Sequence, residues 1–244
     1  MFKLILITKK KLKEKIMKKI IIAILMTFGI FTMVSADIGV KLGVSAQIGS
    51  METSGKETSS DGTTETSQTE EALFGTAGFF IEKDLAFLPG PFARLSIGYD
   101  NIVHDLDLGT QNNIREASLG AAGAVTASTD HSLNAKITGF ETLYATINIT
   151  DWLYVKAGSV TVDVDAKFSG SATSSYATGH SLDGTVLGFG VEKSSDNGMF
   201  FRLEYNDYSI DGKSVTNAGT DSKFTATLND VSGSTGRVSI GKAF

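Results

Sequence analysis

Cysteine is missing from the chain, so disulfides and thiolate metal sites are excluded, and redox compartment cannot be read from thiols. Proline is nearly missing too: the only two, Pro89 and Pro91, sit two residues apart, as in a chain of uninterrupted strands joined at a few places. Histidine is confined to His104, His131 and His180, and tryptophan to Trp152. No Gly-rich phosphate loop, zinc spacing or nucleotide fingerprint occurs, which removes the usual cofactor classes; no cofactor is expected. Basic residues are scarce after the first 36, which hold eight of the 22 Lys and Arg but one of the 27 acids. The remainder is strongly acidic, and nucleic acid is set aside as a partner.

What is present is alternation. In Gly184–Asp207, Thr185, Leu187, Phe189 and Val191 fall on one face, and Gly184, Val186, Gly188, Gly190 and Glu192 on the other. Ser194-Ser195-Asp196-Asn197-Gly198 then packs five turn formers together. The period resumes with Met199, Phe201, Leu203 and Tyr205 opposite Phe200, Arg202, Glu204 and Asn206. Period-2 alternation around such a turn is a β-hairpin signal. A face of glycine and ions behind an apolar face suits a barrel wall with lipid outside and a polar lumen inside. Gly188 and Gly190 read as thinning of a crowded inner wall.

At the N-terminus, Met17-Lys18-Lys19 precedes an apolar run from Ile20 to Val34, closed by Ser35-Ala36. A charged start, short apolar core and small-residue end predict a secretory signal peptide cleaved between Ala36 and Asp37. The run is shorter than the ~20 residues needed to span a bilayer. Residues 1–36 are therefore an N-terminal extension and signal, with Met17 as the expected true start, and 37–244 the folded domain.

Strands follow in order: Asp37–Gly49, Leu73–Lys83, Phe92–Asp100, Phe140–Thr150, one from Leu153, the two of the hairpin above, and Thr235–Phe244. Between them, Ser50–Glu71 is polar low complexity with six acids and reads as a mobile loop. Asp84–Pro91 is a short turn. Asn101–Ala135, Phe168–Ser181 and Ile210–Lys223 read as long polar connections. The alternation of the Leu153 strand changes phase near Gly158–Val160, which suggests a bulge. The fold class is thus all-β: an eight-stranded, antiparallel, up-and-down transmembrane β-barrel. An added hairpin at Ser118–Ala127 or Lys223–Asp230 would make ten strands. Long and short connections alternate, the asymmetry of bacterial barrels with short periplasmic turns, long surface loops and both termini periplasmic.

On that pattern the chain resembles the small outer-membrane β-barrels of Gram-negative bacteria, the OmpA transmembrane domain and opacity-type proteins, over roughly residues 37–244. Val238, Ile240 and the terminal Phe244 match the C-terminal signal by which such proteins are recognised for assembly, with Lys242 a departure from it. The resemblance implies an outer-membrane location, outer-membrane lipid and the barrel assembly machinery as partners, and a surface ligand or phage as a candidate one.

The inward faces together carry Lys41, Arg94, Lys156, Arg202 and Arg237 against Glu82, Asp100, Glu192 and Glu204. Inside eight strands, whose interior is just wide enough for side chains, these charges should pair as a plug; the other reading is a selectivity lining. Phe87, Phe92, Tyr99, Trp152, Tyr154, Tyr205 and Tyr208 are girdle candidates, with Tyr154 in the inward phase. His131 and His180 have Ser132 and Ser181 beside them, but neighbouring strand residues point to opposite faces, and no nucleophile motif supports catalysis. Asp105 with Asp107 and Asp163 with Asp165 give too few ligands for a dedicated cation site. The expected role is structural or surface-interacting, without catalysis and with no metal. A narrow solute channel is the alternative and a lipid-modifying enzyme the third reading.

Overall fold

A computed structural model describes residues 38–59, 64–115, 129–169, 179–216 and 224–244. The expected signal peptide, its cleavage point at Ala36 and Asp37, and the Ser118–Ala127 segment lie outside them. Among these residues eleven strands form one sheet: β1 Val40–Ser59, β2 Thr64–Asp84, β3 Leu95–Ile102, β4 Leu106–Arg115, β5 Thr129–Asn148, β6 Leu153–Ser169, β7 His180–Ser194, β8 Met199–Ile210, β9 Lys213–Thr216, β10 Phe224–Leu228 and β11 Val231–Ala243. A single turn of 3₁₀ helix, Gly90–Arg94, precedes β3. No helix among the described residues is long and apolar enough to cross a membrane.

The sheet closes. Every adjacent pair is antiparallel, running β1-β2-β3-β5-β6-β7-β8-β11, and β11 returns to β1 from Lys41↔Ala243 to Glu52↔Ser232. Closure leaves this ring without an edge strand, which a membrane wall requires because lipid offers no hydrogen bonds. The other strands prolong existing walls. After a break at residues 103–105, β4 continues β3 along β5. β9 continues β8, and β10, paired with β9, meets β1 above β11. The hairpin considered at Lys223–Asp230 therefore exists without adding a stave, and the barrel keeps eight.

Several stretches expected as loops are strand. The register of β1 with β2 runs from Val40↔Lys83 to Thr58↔Thr64, so Ser50–Glu71 is mostly a two-stranded arm. Its Thr and Ser residues lack apolar alternation, but β-branched Thr suits a pleated strand and the barrel presents an aligned partner. For the same reason β4 and the start of β5 occupy much of Asn101–Ala135, and β9 part of Ile210–Lys223. At a rise of about 3.3 Å, 20 residues of β1 extend roughly 47 Å along the axis at ~45° tilt, well beyond an apolar band of ~25 Å.

The expected bulge at Gly158–Val160 is absent. Tyr154, Lys156, Val160 and Val162 all stay on the buried face of β6. The irregularity lies instead in β5, between Ile137 and Gly139. In the β7–β8 turn, Gly198 has φ +82, and its N–H donates to the Ser195 carbonyl.

Candidate functional site

The outward face carries an apolar belt that includes Val44, Ile48, Ile97, Leu143, Val155, Leu187, Phe189, Phe201, Leu203, Val238 and Ile240, all exposed. Phe87, Phe92, Trp152 and Tyr205 are exposed as girdle residues should be. Tyr208, like Tyr154, is turned into the lumen, a correction to its girdle assignment.

Behind the belt, nearest the short turns, lies a charged layer. Arg202 on β8 donates to both oxygens of Glu82 on β2, Nη1 to Oε2 at 2.9 Å and Nη2 to Oε1 at 2.7 Å. Its Nε donates to Glu192 Oε2 at 2.6 Å. Lys41 Nζ lies 3.1 Å from Glu192 Oε1, 3.8 Å from Glu82 Oε1 and 3.7 Å from Asp84 Oδ1. One level up, Lys156 meets Glu204 at 3.3 Å, and Arg237 joins Glu204 at 3.5 Å to Asp100. Some of these pairs link facing residues of adjacent strands, as Glu192 with Arg202 and Glu204 with Arg237. Others, Arg202–Glu82 and Arg237–Asp100, reach past intervening walls. Such a reach fills the bore.

Aromatic rings occupy the remaining space. The Arg202 guanidinium lies 5.1–5.3 Å from the ring centres of Phe80, Tyr154 and Phe200, and the Lys156 ammonium 4.3 Å from that of Tyr144. Tyr144 also donates its hydroxyl to Glu82 at 3.2 Å. Glycine makes this crowding possible: a Cβ on Gly98 would sit 2.3 Å from Tyr144 Cζ, and one on Gly190 would sit 2.5 Å from the Tyr154 hydroxyl.

Of the nine charged residues expected in the lumen, eight meet in this network. Arg94 does not. It ends the 3₁₀ helix, exposed, and donates to the Ile149 carbonyl at 3.3 Å. The helix turns the chain before β3 begins at Leu95, so the alternation of β3 does not extend back to Arg94. Asp84, assigned to a turn by its nearness to the prolines, is the last residue of β2 and joins the network; it also accepts from Ser96 Oγ at 2.6 Å.

Toward the long connections the lumen changes character. Ile102, Ile137, Phe140, Val160, Val162, Leu182, Val186, Tyr208 and Ile210 form one buried apolar cluster on the inward face. Phe140 and Tyr208 meet edge to face at 5.5 Å. At the same level the outward face turns polar, with Ser159, Thr161, Asp183, Thr185, Asp207 and Ser209. At the boundary between the layers, Asn206 is 0 % and Thr235 1 % exposed, and Val186 above them is 0 % exposed. A water-filled bore would expose the residues that line it. This one is filled with side chains.

Among the described residues, no group of three or more His, Asp or Glu could hold a metal ion. His104, in the break between β3 and β4, accepts the Ala77 N–H on Nε2 at 3.1 Å, its Nδ1 lying 3.2 Å from the Asp105 carbonyl oxygen. It caps a strand end. The His131 side chain lies outside the described residues.

The closed ring of eight antiparallel walls, with apolar side chains outside and paired ions within, decides the architecture. The fold is that of an outer-membrane β-barrel. No protein-family model and no curated protein matches the sequence. Among solved structures, the outer-membrane protease OmpT of Escherichia coli is similar at a TM-score of 0.51 and 8% identity, covering 88% of this chain and 99% of that one. OprG of Pseudomonas aeruginosa aligns at 0.43 and 8%, covering 85% and 98%. Neisserial surface protein A aligns at 0.36 and 13%, covering 82% and 97%. At these identities the likeness concerns fold alone.

Proposed function

We propose that this outer-membrane barrel is a closed scaffold, exported by its N-terminal signal, that presents its extended walls at the cell surface for interaction. The filled, two-layered lumen carries the reading. Groups that bridge the bore leave no path for solute, and walls of this length serve no purpose within the bilayer. The short turns and both chain ends then face the periplasm, and the β1–β2 arm and the long connections face outward. Glu52 and Glu71, directly opposite on the arm, give it an acidic outer face suited to a basic or cation-bridged surface ligand.

Protein purified from outer membranes and inserted in planar bilayers should give no discrete conductance steps, folding being confirmed on the same sample. Reproducible steps would sink the closed-scaffold reading and put the narrow channel first. Deleting residues 51–71 should abolish adhesion to whole-cell or matrix targets and leave the barrel's unfolding midpoint within a few degrees; unchanged adhesion would move the role off the arm.

A further inference from the structure

The lipid-facing wall is not evenly filled. On β11 the outward positions read Ser234, Gly236, Val238 and Ile240, so the belt lacks a side chain at Gly236. A Cβ there would meet no atom within 4 Å, whereas one on Gly98 or Gly190 would run into a ring. The register sets Tyr205 of β8 on one side of Gly236 and Ile48 of β1 on the other. Phe189 of β7 stands behind Tyr205, the two ring centres 5.6 Å apart. One step toward the turns, Val238 and Leu203 face each other and close the lower end. These residues border a groove of about 440 Å³.

Its width admits one hydrocarbon chain. Neighbouring walls lie ~4.8 Å apart, so Tyr205 and Ile48 stand roughly 10 Å from each other across Gly236, and their own side chains take part of that span. An α-helix, about 10–12 Å across, is too wide to enter, and another barrel would present a convex wall. The groove is continuous with the lipid-facing belt, to which Ile48, Phe189, Leu203 and Val238 belong, all exposed. The medium against it is therefore hydrocarbon. At its upper end the next outward residues are Asp207, Ser234 and Ser50, which face one another across β8, β11 and β1. A chain in the groove thus lies along apolar side chains and ends at two serine hydroxyls. That suits the acyl chain of a phospholipid, whose ester carbonyl accepts hydrogen bonds.

We infer that the groove over Gly236 holds one phospholipid acyl chain in a fixed place, apart from the exchanging lipid around the rest of the belt. A chain there touches protein on three sides, at Tyr205, at Ile48 and at the strand floor. On the convex belt it touches one, and dispersion attraction grows with the number of atoms touched. The inference needs only the membrane-barrel fold and holds whether or not the lumen conducts.

The test is to count retained lipid. Protein purified from outer membranes is moved into phosphatidylcholine vesicles, extracted in mild detergent and weighed intact by native mass spectrometry. It should keep one phosphatidylcholine through the detergent wash. Gly236→Phe puts a ring into the groove and should lower the lipid-bound fraction about tenfold, the weight of about ten lost atom contacts. The space at that position is open, so the variant should keep its unfolding midpoint. Tyr205→Ala, which removes one side of the groove and adds no bulk, should lower the fraction as well. Leu143→Phe, exposed on the β5 part of the belt, should leave it unchanged. A native protein without bound lipid overturns the inference. So does lipid kept in full by both Gly236→Phe and Tyr205→Ala, or lost equally in Leu143→Phe. A second copy of the chain bound in place of lipid, and lost in Gly236→Phe, overturns it in favour of a protein occupant.

Discussion

The two halves of the barrel are built on opposite plans from one continuous set of strands. In the turn half, apolar side chains face out and ions face in. In the loop half, Val160, Val162, Val186 and Ile210 face in, and Ser159, Thr161, Thr185 and Ser209 face out. The first is a membrane protein and the second is built like a soluble barrel, stacked on it without a change of pleat. The solvent outside changes, and the side chains change with it. Both interiors are filled, the charged layer by pairing groups that would otherwise be costly to bury, the apolar layer by ordinary packing.

That difference has measurable consequences. Glu82→Ala takes the acceptor from both Nη groups of the buried Arg202 guanidinium and leaves it Glu192 on Nε alone, which should lower the unfolding free energy by about 3 kcal/mol in urea titrations. Glu82→Met together with Arg202→Met should recover most of the loss. If the double variant is as unstable as the single, the layer depends on its charges for more than mutual satisfaction.

The border between the plans can be located by placing the same charge on either side of it. Phe189→Lys, in the belt, should cost about 2–4 kcal/mol, and Thr185→Lys, four residues away on the same face, about 0–1 kcal/mol. Equal costs in lipid vesicles would mean that the bilayer extends past Thr185. The smallest effect belongs to the apolar layer: Ile210→Val removes one methylene and should cost about 0.5–1.5 kcal/mol. A much larger loss would show that this layer is a rigid element of the fold.

The turn half was legible in the sequence because its two faces contrast sharply. Arg202 and Glu204 between Phe201, Leu203 and Tyr205 can be read only one way. The loop half was not, because inversion of polarity looks like a slip of phase; β6 gave that impression at Val160, where the pleat continues unbroken. Arg94 was misplaced because nothing in Phe92-Ala93-Arg94 betrays a helical turn before β3. Asp84 was missed because its nearness to Pro89 and Pro91 suggested a turn, although β2 still held it. The polar arm of β1 and β2 has no apolar rhythm, and its register is inherited from the barrel below.

The seam between β1 and β11 sets the order in which the molecule can be made. Phe244 donates its N–H to the carbonyl of Val40, and Val40 returns the bond at 3.3 Å, so the first and last strands lie side by side. The wall opened by β1 is completed only by β11, so the cylinder cannot shut before β11 is in place. Once shut, it has no intrinsic starting point. A cyclic permutant joined from Phe244 to Val40 by a short linker, and reopened between β1 and β2, should assemble the same ring with its free ends on the opposite side of the membrane.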